Sequence, residues 1–170
     1  MLAELETKIL AVFDEYVFGF MRADINAAIN GKANYLAALG LVSYTEVLGG
    51  LRTGKLGMKN TSAANFKAFL PYLGPEYEKM EKYGIDIYDT VRCGLVHNYF
   101  IKGDSTIWLN ASANYGIISG PGGPTHFLVD VYARDFFAGA TRFRNEILEG
   151  KVSRLAENFE KGMKTIGVWK

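Results

Sequence analysis

The sequence predicts a mainly α-helical protein: an up-and-down bundle of four or five helices with a small β-hairpin or meander inserted before the C-terminal helix. Three observations lead there. Apolar residues recur at helical spacing over most of the chain. That period breaks once, between about 105 and 129, where short β-branched and aromatic runs alternate with glycine, proline and asparagine. Finally, 170 residues with 49% hydrophobic and 14% aromatic content suffice for one buried core, so 1–170 reads as a single domain.

Each element follows from local pattern. Leu2, Leu5, Ile9, Val12, Phe13, Tyr16, Val17 and Phe20 form one face of a long amphipathic helix reaching about Ile29, which "NGK" at 30–32 stops. A second helix, from about Ala33 to Leu48, is apolar on most sides and is therefore placed centrally. Its Gly40, Gly49 and Gly50 suit close helix packing or a C-terminal turn. "RTGKLGMKNTS" (52–62) is a polar loop whose Thr61 or Ser62 can cap the third helix, "AANFKAFLPYL". Pro71 to Pro75 break that helix, and "PEYEKMEKYG" leads into a fourth, from about Ile85 to Ile101, ended by Gly103 and Asp104. "STIWLNAS", "NYGIISG" and "THFLVDV" then read as an antiparallel meander, with a second connection at Gly120 to Pro124. From Asp130, the expected N-cap, one helix carries the apolar rows Phe136, Ala140, Phe143, Ile147 and Leu148, Val152, Leu155, Phe159 past Gly150.

Bulk properties exclude more than they assign. With 19 basic and 18 acidic residues the formal net charge is +1, which lacks the basic excess of a general nucleic-acid binder. Any RNA contact is expected in a local cleft. The single cysteine forms no internal disulfide and suits a reducing compartment. "MLAELETKIL" has acidic residues and no basic stretch ahead of its apolar positions, unlike a secretory signal. "YLAALGLVSYTEVLGGL" is interrupted by Ser43, Thr45, Glu46 and glycines, so it reads as a buried helix and not as a membrane span. The expectation is a cytoplasmic protein without membrane contact. "SGPGG" at 119–123 lacks the Lys-Ser/Thr of a phosphate-binding loop and reads as a turn. Arg142, Arg144, Lys151, Arg154, Lys161 and Lys164 alternate with Glu146, Glu149, Glu157 and Glu160, the pattern of a solvated helix face.

The residues that invite chemistry lie in "YDTVRCGLVHNYF" (88–100). Arg92 and His97 are five apart, about 140° on a straight α-helix, although Gly94 between them permits a local distortion. Asp89, Cys93 and His97 share a stripe at i+4 spacing. Metal-free RNA cleavage needs a base for the 2′-hydroxyl proton, an acid for the leaving oxygen and a cation for the crowded phosphorus. Histidine serves the first two roles and arginine the third. One chain brings a single such histidine unless His126 joins it; a symmetric dimer supplies the second.

Arginine, four residues and histidine in a late helix of a bundle, here "RCGLVH", resembles the signature of the HEPN superfamily. The resemblance is sharpest over about Ile85 to Lys102. It implies a helical bundle dimerised around the motif and, in active members, a metal-independent endoribonuclease without cofactor or metal. Carried onto this chain, Arg92 holds the phosphate and His97 handles protons. A third polar partner on an earlier helix is matched by Glu46, the one acid in the apolar second helix. Glu46, Asp89 and Asn98 are thus the candidate supporting residues. Other members of that superfamily are noncatalytic binding or structural modules, and a separate partner protein is compatible with either role. The β insertion is additional to the helical core the resemblance implies.

Other readings of the same residues stay open. His97 can be a hydrogen-bonded core histidine and Arg92 the i+3 partner of Asp89. Cys93, one turn from His97, can be a nucleophile, although mid-helix placement fits a buried thiol better. Asp89, Cys93 and His97, with His126, can be weighed as metal ligands, although zinc sites draw on more Cys and His.

Overall fold

A computed structural model describes residues 2–82, 84–99, 102–103, 105–109, 112–119, 123–150 and 154–170, and within these not the side chains of Leu2, Ala3, Glu81 and Asn98. Helices dominate, with a small three-stranded sheet ahead of the C-terminal helices, the architecture the sequence predicts. The first helix runs from α1 (Leu2–Val12) through a π-helical stretch (Phe13–Met21) into α2 (Arg22–Asn30). The π stretch explains a departure. Ile9, Val12, Phe13 and Val17 are buried as the α-helical period requires, but Tyr16 is 40% and Phe20 58% exposed. Hydrogen bonds closing at i+5 turn the chain less per residue. Phe13 therefore meets Phe18, with centroids 6.1 Å apart, and Phe20 is carried away from the core.

The central helix α3 (Asn34–Thr53) continues past the predicted Leu48 through both glycines and ends at Gly54. It lies closely against α4 (Ser62–Leu73). A Cβ at Gly49 would stand 1.7 Å from the Asn65 carbonyl oxygen, so no larger residue fits without separating the two helices. Thr61 holds the N-cap position of α4, as predicted, but makes no side-chain cap bond. The Thr61 hydroxyl instead donates backwards, to the Met58 carbonyl at 2.8 Å and the Lys55 carbonyl at 3.1 Å, so it shapes the loop. Gly74 ends α4, and Pro75 opens α5 (Pro75–Lys82), where its missing N–H costs nothing.

The insertion contains β1 (Thr106–Trp108), β2 (Ile117–Ser119) and β3 (Thr125–Leu128). β2 and β3 form the expected antiparallel hairpin, but β1 pairs with β3 in parallel, giving the order β1-β3-β2 and not a sequential meander. The most buried strand, with Thr125, Phe127 and Leu128 inside, takes the middle, where both its edges are paired. Part of the predicted turn, residues 120–122, lies outside the described residues.

Where one C-terminal helix is predicted, two form: α7 (Val129–Leu148) and α8 (Leu155–Thr165). Gly150, at φ +63°, lies between them in a left-handed conformation open to glycine; Lys151 to Ser153 lie outside the described residues. Asp130 is not the N-cap. Leu128 holds that position, and Asp130 falls inside the first turn, because the sheet's last residue runs directly into the helix. The core is a chain of rings. Phe159 stacks on Phe13 (5.6 Å), which meets Phe143 edge-on (6.0 Å); Phe69 then links Phe143 (5.9 Å) to Phe136 (6.0 Å). These rings join α8, the π stretch, α7 and α4, and all are fully buried. No helix among the described residues is long and apolar enough to cross a membrane.

Candidate functional site

The motif helix differs from the regular helix predicted for 85–101. Tyr88–Cys93 is a second π-helical segment, continued by α6 (Gly94–Asn98). Tyr99, with φ +63°, closes it, ahead of the predicted stop at Gly103. Phe100, Ile101 and Asp104 lie outside the described residues. A wide turn of this kind displaces side chains from their α-helical neighbours and often accompanies function.

Arg92 points at α3. Its Nη2 lies 2.6 Å from Glu46 Oε2, and each side chain is 17% exposed. The guanidinium also sits 5.5 Å from the Tyr88 ring centroid, within cation–π range. The Tyr88 ring in turn meets the fully buried Phe66 at 5.7 Å. Arg92 is thus held by charge on one side and by an aromatic face on another. The contact with Glu46 is close without hydrogen-bond alignment: Glu46 Oε2 and Arg92 Nε are buried and have no hydrogen-bond partner among the described residues. Burial pushes the Tyr88 hydroxyl above its ordinary value of 10; the Arg92 charge opposes this, while Cys93 and the Glu46 charge add to it.

The predicted Asp89–Arg92 pair is not formed. Asp89 Oδ1 pairs instead with Lys102 Nζ at 2.6 Å, and the Lys102 N–H donates to the Thr90 carbonyl at 3.1 Å, fastening the segment after the helix back onto it. The bond to Asp89, ahead of any other influence, raises the Lys102 ammonium pKa. The i+3 pairing presumes α-helical register, which the π turn removes.

His97 is exposed, in the last turn of α6, so the reading of a buried core histidine does not hold. Asn98 follows it on the backbone, its side chain outside the described residues. His126 is engaged elsewhere: its Nδ1 lies 2.7 Å from Thr106 Oγ1 across β1 and β3, and its ring 5.8 Å from that of Trp108. Cys93 is a half-buried free thiol in the middle of the helical run. Among the described residues no three His, Cys, Asp or Glu side chains gather as metal ligands, so Asp89, Cys93 and His97 do not form a ligand set with His126.

The structure therefore brings Glu46 and Arg92 together, places His97 on the next turn of the same helical run, and separates Asp89 from both. Sequence reasoning left Tyr88 without a role. Its position four residues before Arg92 was a usable signal, since that spacing sets a ring beneath a guanidinium. No family model, curated protein or solved structure matches the chain.

Proposed function

We propose that the protein is a HEPN-like, metal-independent endoribonuclease or RNA-processing factor, acting as a homodimer at a cleft containing Arg92 and His97. The supporting observation is the placement of an arginine oriented by Glu46 and Tyr88 one helical turn from a solvent-exposed histidine. Arg92, fixed by Glu46 and Tyr88, takes the phosphate through its charge and planar donors. His97 of one copy removes the 2′-hydroxyl proton as that oxygen attacks phosphorus. His97 of the second copy protonates the departing 5′-oxygen, giving a 2′,3′-cyclic phosphate and a free 5′-hydroxyl. No metal enters this scheme. The test is cleavage of a mixed-sequence fluorogenic RNA in the presence of EDTA. His97→Ala is expected to reduce the rate by roughly 10²–10⁴-fold, and an unchanged rate contradicts the proposal.

The same ion pair supports one rival. Arg92 already has a negative partner within its own chain, and the pair ties the motif helix to α3. In a noncatalytic interaction module this link would serve architecture. Arg92→Ala would then lower stability or dimerisation, and the wild-type protein would cut no RNA.

A further inference from the structure

Two arginines converge on one aromatic ring where the first helix meets α7. Arg22 Cζ lies 5.2 Å from the Phe18 ring centroid and Arg144 Cζ 5.3 Å from it. Arg22 also lies 4.6 Å from the Phe137 ring. Cation–π attraction holds both guanidiniums, yet it draws like charges together and neutralises neither. Nearby acids do not make up the difference. Asp14 Oδ1 stands 3.7 Å from Arg144 Nη1, and its side chain is 68% exposed, so water screens the pair. Arg22 is exposed and has no acidic partner among the described residues. Arg144, expected on a solvated helix face, is only 27% exposed, and its Nη1 end reaches the surface beside Asp14. The rings beneath the cations are fixed: Phe18 packs on the buried Phe13 at 6.1 Å, and Phe137 on the buried Phe136 at 5.1 Å. The π turn that carries Phe18 towards Phe13 thereby creates the cluster, and π turns often accompany function.

We propose that Arg22 and Arg144 form a binding site for a dianionic phosphate group, as inorganic phosphate or a small phosphate monoester, at the edge of the Phe18 ring. A guanidinium lying over a ring keeps its N–H donors in its own plane, directed past the ring, where an oxyanion accepts them in pairs. Charge selects the ligand. Two cations and one screened carboxylate are poorly matched by a monoanion and well matched by a dianion. Because both arginines address one ring, a single tetrahedral anion at its edge can be reached by both, with the exposed Arg22 arm adjusting. The π stretch, α2 and α7 contain none of the motif residues, so this site stands independently of the RNA-directed reading.

The experiment follows the carbon-13 signals of the arginine Cζ atoms by NMR in the full chain at about pH 7.5, above the second pKa of a phosphate monoester. Methyl phosphate and inorganic phosphate are added separately, with dimethyl phosphate as a tetrahedral monoanion control. Arg22 and Arg144 should shift together and saturate with either dianion, and dimethyl phosphate should bind roughly 10-fold more weakly or worse. Tighter binding of methyl phosphate assigns the site to esters, and tighter binding of inorganic phosphate assigns it to the free anion. Arg22→Gln, at an exposed position, should weaken binding about 10-fold. Arg144→Gln should do the same, and Arg22→Gln alone decides the matter if Arg144→Gln does not fold. Absence of a saturating shift at Arg22 and Arg144 overturns the proposal, as does equal affinity for mono- and dianion or binding indifferent to Arg22→Gln. Arg92 reports on the motif separately. A shift confined to Arg92 removes this second site and leaves the motif reading, while shifts at Arg22 and Arg144 with Arg92 unmoved do the reverse.

Discussion

Thr45 and Glu46 are neighbours on α3 and project about 100° apart, into two regions built on opposite terms. Thr45 is fully buried; its hydroxyl donates to the Leu41 carbonyl at 2.8 Å and pairs with the Tyr132 hydroxyl at 3.0 Å. On the same side of the core, Tyr77 donates to Asp135 Oδ2 at 2.5 Å and accepts the Gly116 N–H at 2.7 Å. Asp135 Oδ1 receives Arg134 Nε and Nη2 at 2.9 and 2.8 Å. Both Asp135 oxygens have donors. Glu46 instead enters a half-open pair in which buried polar atoms on both partners lack hydrogen bonds. A satisfied polar network specifies a fold; an under-satisfied one retains capacity for a ligand or a second copy.

The largest expected effect lies in the satisfied region. Asp135→Ala leaves the buried Tyr77 hydroxyl and the Arg134 guanidinium without their acceptor and should cost about 3–5 kcal/mol in urea denaturation. Arg92→Ala comes next, at about 1–3 kcal/mol, because the pair is partly exposed and incompletely hydrogen-bonded. A double-mutant cycle with Glu46→Gln should recover part of that cost as coupling. If Arg92→Ala proves as costly as Asp135→Ala, the two regions are not different in kind.

Alkaline pH sharpens the contrast further. Burial, reinforced by Asp135, raises the hydroxyl pKa values of Tyr77 and Tyr132. A raised folded value means that the stabilisation is complete below the unfolded value near 10 and is lost as pH rises through the folded one. Stability should therefore fall above about pH 10, by about 1.4 kcal/mol per pH unit for each tyrosine that stays neutral when folded. Tyr77→Phe should make that fall shallower in pH-dependent urea melts. The smallest effect belongs to Asp89→Asn: its partner Lys102 is solvent-exposed, and the midpoint should not move measurably.

Where the α-helical period holds, the sequence is a good guide. The central position of α3 follows from its lack of a polar face, and Glu46 stands out there as an acid needing a partner. Arg92 and His97 stand out in their helix for the same reason. What period alone does not encode is a change of hydrogen-bond register. Both π stretches pack against distant elements: Phe18 meets Arg144 of α7 at 5.3 Å, and Tyr88 meets Phe66 of α4 at 5.7 Å. Hence Phe20 was expected inside and Asp89 beside Arg92. Strand order was hidden for another reason. Strands of three or four residues carry too little pattern to show which one is central, so the parallel β1–β3 pairing emerges only with tertiary burial. Tyr99 escaped notice because a left-handed helix end is normally signalled by glycine.

The central claim is that Arg92 and His97 form an open, anion-binding site. Its most direct measurement is NMR of the two imidazoles and the Arg92 Nε–H at fixed pH, in EDTA, as inorganic phosphate and then a 2′-O-methyl dinucleotide are added. His126 is an internal control, held by Thr106 on the sheet. His97 and Arg92 should shift together and saturate while His126 stays still. Addition of either anion without movement of His97 or Arg92 would contradict it, and the Glu46–Arg92 pair would then be architecture.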